Sequence, residues 1–319
     1  MKIPKKLFAA NTPTPVQTLS YEGRKFLIKR DDLTGAELSG NKIRKLEYLI
    51  YQTKKEKADY IFTSGGLQSN HARATAICAA REGIKTKLFL WGKNTSSPDG
   101  NLFLDKFIGA EIQYLTKKEN ENVNQLMYSE RQKYLSKGKQ VYVIPEGGST
   151  TLGIWGYISF VEELKNQIDL NKIKGIFAAC GSGGTAAGLL AGLALHNFQT
   201  KVFAVNVLYP ESVIRKKILN LAEGAALDYN LNINLNEDRL QIVDGYSEEG
   251  YENISADKLK LIKDFARSTG IIFDPAYTGK AFTAYYEKIL TQNKGRDYLF
   301  IHTGGLFGVF GKKTQYLSA

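Results

Sequence analysis

The sequence predicts an α/β fold built from two open parallel-sheet domains with a ligand cleft between them. Short apolar runs alternate with longer amphipathic patterns along the whole chain, as in proteins that build parallel sheets through helical crossovers. The length of 319 residues suits about two domains, and 43% hydrophobic residues is ordinary for a globular enzyme. Helices should therefore cover both faces of each sheet.

Eight apolar runs are predicted to be strands, and nine amphipathic segments between them are predicted to be helices. The strands are expected at 25–29, 60–63, 87–91, 111–115, 140–144, 175–180, 201–208 and 298–302. The helices are expected at 42–56, 70–82, 101–107, 123–135, 151–168, 185–196, 213–221, 256–268 and 278–290. The stretch 227–253 is predicted to be a loop, because it is too polar and irregular for a core element.

The strands are predicted to divide into two sheets. Residues 47–160 hold four of them and are expected to form a smaller α/β domain. Residues 1–46 together with 161–319 are expected to form the larger, ligand-binding domain. The cleft between two such layers is the expected ligand site in open α/β architecture.

Composition argues against several other classes of protein. Cys78 and Cys180 each lie in an apolar run and are predicted to be buried free thiols rather than a disulfide. The three histidines share no ligand spacing, so no metal site is expected. No stretch is apolar enough for a membrane span or a secretory signal, and we expect a cytoplasmic protein.

The net charge of +11 raises the alternative of nucleic-acid binding. The lysines are spread along the chain, usually beside acids or at helix ends, which is typical of a solvated surface. We therefore expect no nucleic-acid partner. A positive field would still attract an anionic ligand.

A glycine turn follows the apolar strand GIFAAC and opens a predicted helix. It consists of Gly181, Ser182, Gly183, Gly184 and Thr185. Backbone N–H groups in such a turn can surround an anion, and the helix N-terminus adds partial positive charge. A plain tight turn is the alternative. The spacing is not that of a dinucleotide fingerprint, and no Gly-Lys-Ser/Thr follows as in a Walker loop. A single phosphate monoester fits best.

The segment SGNKIRKLEYL, residues 39–49, predicts a helix that Ser39 or Asn41 can cap. Lys42 then lies in its first turn, where the helix dipole disfavours a cation and Arg44 and Lys45 add like charge. These effects favour a neutral, nucleophilic amine. Taken alone, Lys42 would be one surface lysine among many.

Three further segments place polar groups at strand ends. In GGLQSNHARATA, Gln68, Ser69 and Asn70 begin a helix and could hold a carboxylate, although a well-capped helix would explain them equally. In DPAYTGKAF, Tyr277 follows a turn towards the strand ends. In FIHTGG, Thr303 ends a strand, where ligands bind in open sheets.

Together these motifs resemble the fold-type II pyridoxal-phosphate (PLP) enzymes, in the branch of D-cysteine desulfhydrase and 1-aminocyclopropane-1-carboxylate (ACC) deaminase. The resemblance runs from KRDDLTG at residue 29 to HTGG near the C-terminus, and GNKIRKLEYL and DPAYTGK are specific to this branch. It implies a tryptophan synthase β-subunit-like fold, PLP between the domains, a small amino-acid substrate and a homodimer.

The resemblance also implies roles for individual residues. Lys42 matches the Schiff-base lysine, and residues 181–185 match the phosphate loop. Asn70 matches the residue that hydrogen-bonds the 3'-oxygen of PLP, and Ser69 the residue near the substrate carboxylate and the reacting carbon. Tyr277 and Tyr251 match two active-site tyrosines; Tyr251 is the looser match, resting on Gly250-Tyr251 and a spacing of 26 residues.

Two departures separate the members of the branch. One is that ACC deaminases resemble H-L-G-G where this chain has His302-Thr303-Gly304-Gly305. The other is that they have a glutamate, paired with the pyridine nitrogen, where this chain has Thr278. A threonine hydroxyl can donate to a neutral nitrogen instead, which gives a weaker electron sink. The sequence therefore predicts elimination from D-cysteine. ACC deaminase, cysteate sulfo-lyase, a D-serine dehydratase-like lyase and a PLP-free binding protein stay open as alternatives.

Overall fold

The structure is a computed structural model that describes residues 1–318, and its strands form two sheets. The larger sheet has six strands in the order β1-β2-β10-β7-β8-β9. Its strands are β1 (Val16–Tyr21), β2 (Arg24–Lys29), β7 (Gly175–Cys180), β8 (Lys201–Asn206), β9 (Leu240–Val243) and β10 (Tyr298–Ile301). All neighbours in this sheet are parallel except β1 and β2.

The smaller sheet has four parallel strands in the order β5-β4-β3-β6. They are β3 (Tyr60–Gly66), β4 (Lys85–Trp91), β5 (Glu111–Leu115) and β6 (Val141–Val143). The predicted α/β fold with two parallel-sheet layers is confirmed. The predicted domain boundaries fall within helices 41–55 and 155–165, and they stay a prediction.

Helices connect the strands in both layers. They are α1 (Asn41–Lys55), α2 (Asn70–Arg81), α3 (Gly100–Phe107), α4 (Lys117–Glu121), α5 (Val123–Leu135), α6 (Trp155–Lys165), α7 (Gly184–Leu195), α8 (Glu211–Asp228), α9 (Ala256–Thr269), α10 (Thr278–Tyr285), α11 (Leu306–Phe310) and α12 (Lys313–Ser318). Each of the nine predicted helices corresponds to one of these. Among the described residues, no helix is long and apolar enough to cross a membrane.

Two strands were not predicted. Strand β9 lies inside the stretch 227–253, so the prediction of a loop there is wrong in part: Leu240 and Val243 are buried, and β9 pairs with β8. The strand was missed because its four residues lie inside this long polar stretch. Strand β1 pairs with β2 through Glu22 and Gly23, both at positive φ, the geometry of a two-residue hairpin turn.

Helix α7 is buried on nearly all sides, and glycines let it approach α6 closely. A Cβ at Gly188 would lie 2.5 Å from the backbone oxygen of Ile154, and one at Gly192 would lie 2.8 Å from Val161. This close packing fixes the N-terminus of α7 against the end of β7. The glycine turn between them is therefore held by the core on both sides.

A buried ionic network ties α1 to the larger layer. The Arg44 guanidinium donates to the Asp31 carboxylate at 2.9 Å and to the Glu163 carboxylate at 2.8 Å. Lys29 donates to Glu163 at 2.5 Å, and the Tyr157 hydroxyl donates to Asp31 at 2.6 Å. Because every charge in the network has a partner, these groups can be buried. The network holds α1 in one orientation.

Candidate active site

A narrow cavity lies where the carboxyl ends of β7 and β10 meet the N-terminus of α1. Such strand ends are where open α/β sheets bind ligands. Most of the predicted site residues line this cavity: Lys42, Asn70, Gly181, Ser182, Gly183, Gly184, Thr185, Tyr277 and Thr303. Asn41, Lys45 and Asp274, which were not predicted as site residues, line it too.

The glycine turn is shaped to surround a small anion. Gly183 has a φ of 88°, a left-handed conformation that favours glycine, and it precedes the first turn of α7. A Cβ at Gly184 would lie 2.4 Å from the Ser149 hydroxyl oxygen, so no larger residue fits there. The first N–H groups of α7 have no partner within the helix. They and the hydroxyl of Ser182 can bind the oxygens of a phosphate.

Lys45 is a second lysine at this turn. Its ammonium is buried, lies 3.5 Å from the Ser149 hydroxyl, and forms no ion pair with any residue in 1–318. A Cβ at Gly184 would lie 3.1 Å from its Nζ. Burial, and then the charge of Lys42, hold the pKa of Lys45 well below its ordinary value. A buried amine without an anion, beside a turn of N–H groups, fits a phosphate group.

The start of α1 differs from the predicted cap. Ser39 donates to the backbone oxygen of Asp32, and Gly40, with a φ of 109°, occupies the cap position without a side-chain bond. Asn41 is already helical; its side chain donates to the Thr185 hydroxyl at 3.0 Å, and its N–H donates to the Thr303 backbone oxygen. The predicted capping by Ser39 or Asn41 is therefore wrong. These groups instead attach α1 to the glycine turn and to the end of β10.

Burial increases the neutral fraction of the Lys42 amine. The pKa of Lys42 falls from 10.5 to about 8, because burial removes its ammonium from water, while Glu146 and Asp274 act in the opposite direction. The predicted direction agrees, but burial is the main cause, and Arg44 donates to Asp31 and Glu163 instead of acting on Lys42. A pKa of about 8 makes the neutral amine roughly 300 times more abundant at pH 7.

This pKa predicts how the cofactor-free protein should recombine with an aldehyde. Only the neutral amine attacks, so the second-order rate should rise about tenfold per pH unit below 8 and level off above it. Stopped-flow absorbance after mixing with pyridoxal phosphate, from pH 6.5 to 9.5, measures the profile. A rate still rising steeply between pH 9 and 9.5 would show an ordinary, exposed lysine.

The three residues at the start of α2 have different surroundings. The Asn70 side-chain oxygen accepts from the Asn101 amide at 3.0 Å, which leaves its NH₂ group free to donate into the cavity. Ser69 caps α2 by accepting from the Ala72 N–H at 3.1 Å, and its hydroxyl proton stays available. Gln68 donates to the Asp99 backbone oxygen and accepts from the Asn101 N–H.

Gln68 has the least freedom of the three. Both ends of its side-chain amide are bound at the start of α3, and Gln68, like Ser69 and Tyr251, is not among the residues that line the cavity. Binding of the substrate by Gln68 stays a prediction. Asn101, which fixes both Gln68 and Asn70, was not predicted; its role depends on a contact between α2 and α3 that no local pattern reveals.

Two tyrosines form a hydrogen-bonded pair at the cavity. The Tyr277 hydroxyl donates to the Tyr251 hydroxyl at 3.0 Å, and the Lys42 Nζ lies 5.6 Å from the centroid of the Tyr277 ring. Burial raises the pKa of both hydroxyls, so both are protonated at neutral pH. Because Tyr251 is the acceptor in this pair, its own proton is free. The indole of Trp91, which was not predicted, packs against Tyr251.

The Thr278 hydroxyl proton is not available to the pyridine nitrogen of PLP, contrary to what the sequence position had suggested. Its hydroxyl donates to the Asp274 carboxylate at 2.6 Å, and it accepts from the Asp274 N–H at 2.9 Å. A hydroxyl has one proton, so Thr278 can present only a lone pair to a further group. Asp274 lines the cavity and also accepts from the N–H groups of Ala276, Tyr277 and Thr278. The Asp274 carboxylate is therefore hydrogen-bonded directly to the Thr278 hydroxyl.

Comparisons with known proteins find similar sequences and structures over nearly the whole chain. The family model described as pyridoxal-phosphate dependent enzyme matches residues 7–304. A solved structure described as an ACC deaminase homologue superposes with a TM-score of 0.91 at 34% identity, covering 99% of this chain and 96% of that one.

Two curated relatives cover nearly the whole chain. A Thermotoga maritima protein, provisionally named as an ACC deaminase, is 43% identical over 308 residues, covering 95% of this chain and 97% of that protein. An Arabidopsis thaliana mitochondrial protein, named as a bifunctional D-cysteine desulfhydrase and ACC deaminase, is 36% identical over 97% of this chain and 80% of its own length.

Proposed function

Because the chain belongs to the family of pyridoxal-phosphate-dependent enzymes, we propose that it converts D-cysteine and water into pyruvate, ammonia and hydrogen sulfide. The observation that carries this proposal is the tyrosine pair beside Lys42. Two protonated hydroxyls near a buried amine suit a reaction in which a proton leaves a carbon and a departing sulfur accepts a hydrogen bond.

When bound, PLP supplies a carbonyl that takes up the substrate amine and a ring that delocalises the electron pair released from Cα. We assign the phosphate group to the N–H groups of the glycine turn, Thr185 and Lys45, and the 3'-oxygen to Asn70. Lys42 would remove the Cα proton of the bound substrate. Such general-base help is typically worth about 10²–10⁴-fold in rate.

The hydroxyl of Tyr251 is assigned to donate a hydrogen bond to the departing sulfur, which leaves as a thiolate and takes its proton from water. Burial raises the pKa of Tyr251, so its hydroxyl is protonated at neutral pH, and Tyr277 orients it by donating to its oxygen. The substrate carboxylate is assigned to Ser69 and the N–H groups at the start of α2. Trp91 packs against Tyr251 and restricts how the substrate can turn.

Deamination of ACC is the second candidate, and two observations favour it. The Thermotoga relative carries that name, and the Arabidopsis relative carries both names. The hydrogen bond from Thr278 to Asp274 also leaves Thr278 as an acceptor, which suits a protonated pyridine nitrogen and so a stronger electron sink. The threonine therefore separates the two activities less sharply than its sequence position suggests.

The test is a visible spectrum of the purified protein titrated with D-cysteine, L-cysteine, ACC and D-serine, with product assays. We expect a visible band from bound PLP, with pyruvate and sulfide formed from D-cysteine at a kcat/KM at least tenfold above that for α-ketobutyrate from ACC. Greater turnover of ACC would replace the proposal with the second candidate. Thr278→Glu tests whether this position decides between the two. The predicted cytoplasmic location and homodimeric state stay predictions.

A further inference from the structure

A second, wider cavity adjoins the first and shares Ser182 with it. Its walls include Ser64, Gly65 and Trp91 from the smaller layer, and Tyr209 and Lys217 from the larger one. It also borders the cradle assigned to the substrate carboxylate, because a Cβ at Gly65 would lie 2.5 Å from the Ser69 hydroxyl oxygen. A substrate reaching Lys42 from this side passes along these walls.

Glu146 is a carboxylate on the wall of this second cavity. It begins the one-turn helix Glu146–Gly148, whose Gly147 lies against Ser182 of the glycine turn. Its carboxylate accepts one hydrogen bond, from the Tyr209 hydroxyl at 2.9 Å. Within residues 1–318 it forms no ion pair. Lys217, on the same wall, lies 3.8 Å from the centroid of the Tyr209 ring rather than against the carboxylate.

The negative charge of Glu146 raises the pKa of groups on the wall of the first cavity. Among neighbouring charges, it is the largest of those that raise the pKa of Lys42, although burial outweighs it. It also contributes, after burial and Tyr251, to the raised pKa of Tyr277. Two side chains from different parts of the chain, Lys42 and Tyr277, thus respond to one carboxylate, as expected if it faces a common space of low dielectric.

The cations near Glu146 are used by other groups in the working enzyme. With PLP bound, Lys42 would hold its aldehyde until the substrate amine takes that place, and would then serve as the base for the Cα proton. Lys45 would face the cofactor phosphate, and the substrate carboxylate is assigned to Ser69 and α2. The β-substituent of the substrate is then the group left to meet the charge of Glu146.

We propose that Glu146 is a specificity-determining residue, which excludes amino acids with an anionic β-substituent and admits those with a neutral or positively charged one. This inference rests on the proposed function, in which the β-substituent is the leaving group. A thiol, a hydroxyl or an ammonium group is admitted at this position. A sulfonate is rejected, which disfavours the sulfo-lyase alternative.

The test measures how amino acids of different side-chain charge bind to the holoenzyme. The probes are 2,3-diaminopropionate, 2-aminobutyrate and cysteate, each as both enantiomers, followed by the change in the visible spectrum. In Glu146→Gln, binding of cysteate relative to 2-aminobutyrate should rise on the order of tenfold, and binding of diaminopropionate should fall similarly. Glu121→Gln, at the exposed rim of the same cavity, is the matched control and should leave both ratios unchanged.

Equal ratios in the wild type and Glu146→Gln would overturn the proposal, as would the same shift in both variants. Glu146→Ala is a second variant that should move both ratios in the same direction, should the glutamine protein bind little cofactor. D-Cysteine turnover is measured in parallel. A shifted binding ratio without D-cysteine turnover would reject the proposed function and keep the role of Glu146, whereas turnover without the shift would do the reverse.

Discussion

Replacing Lys42 by alanine is expected to remove both the covalent attachment of the cofactor and catalysis. Two lysine amines line the cavity among residues 1–318. Burial lowers the pKa of Lys42 to about 8, whereas Lys45 lies beside the glycine turn. Loss of both the nucleophile and the base should lower kcat by at least about 10⁴-fold, beyond the usual contribution of a general base alone. Turnover and the visible spectrum of the purified variant measure both effects.

The control for this experiment is Lys55→Ala, an exposed lysine at the end of the same helix. It should retain the visible band, turnover and the midpoint of thermal unfolding. Borohydride reduction of the wild type, followed by peptide mass analysis, should place the label on Lys42. Label on a different lysine, or an active and yellow Lys42→Ala protein, would reject the assignment.

The sequence predicted the fold well where local pattern determines structure. All eight predicted strands and nine predicted helices are present, because apolar strand runs alternate with amphipathic helical segments. Strand β9 was missed because its four residues lie inside the long polar stretch 227–253. The Glu22-Gly23 turn before β2 was a usable signal for β1, since glycine at a two-residue connection is typical of hairpins.

Helix α1 shows why side-chain environments were harder to predict than helices. Its apolar stripe predicts one buried face, yet Arg44, Lys45 and Glu47 are buried as well. Glu47 accepts from the N–H groups of Ala9 and Ala10, so its partners come from the N-terminal arm. Such partners lie far away in sequence, and no helical period contains them.

The site residues also divide into those that a local motif predicts and those that depend on contacts between distant parts of the chain. Lys42, Asn70 and the glycine turn were found because each belongs to a compact motif at an element boundary. Lys45 and Glu146 were missed because their importance arises where residues 104 and 63 positions apart meet. Lys45 contacts Ser149, and Glu146 contacts Tyr209. A lysine one turn after a catalytic lysine has no local feature that separates it from a solvated one.

Replacing Lys45 by methionine is expected to weaken binding of PLP while stabilising the cofactor-free protein. A buried, charge-assisted hydrogen bond to phosphate contributes about 1.5–3 kcal/mol, so the dissociation constant should rise by about 100-fold. The apo protein should gain about 1 kcal/mol in unfolding free energy, because methionine fills a similar volume without a buried amine. Spectroscopic titration and denaturant unfolding measure the two quantities.

The pH dependence and a truncated ligand make this prediction specific to the phosphate. Below about pH 10.5 the unfolded chain binds a proton at Lys45 that the folded apo protein binds only at much lower pH, so the stability gain should shrink as pH rises towards 10.5. Pyridoxal, which lacks the phosphate, should bind the wild type and Lys45→Met equally. If both ligands lost affinity alike, Lys45 would support the fold of the cavity rather than the anion, and the glycine turn alone would have to hold the phosphate.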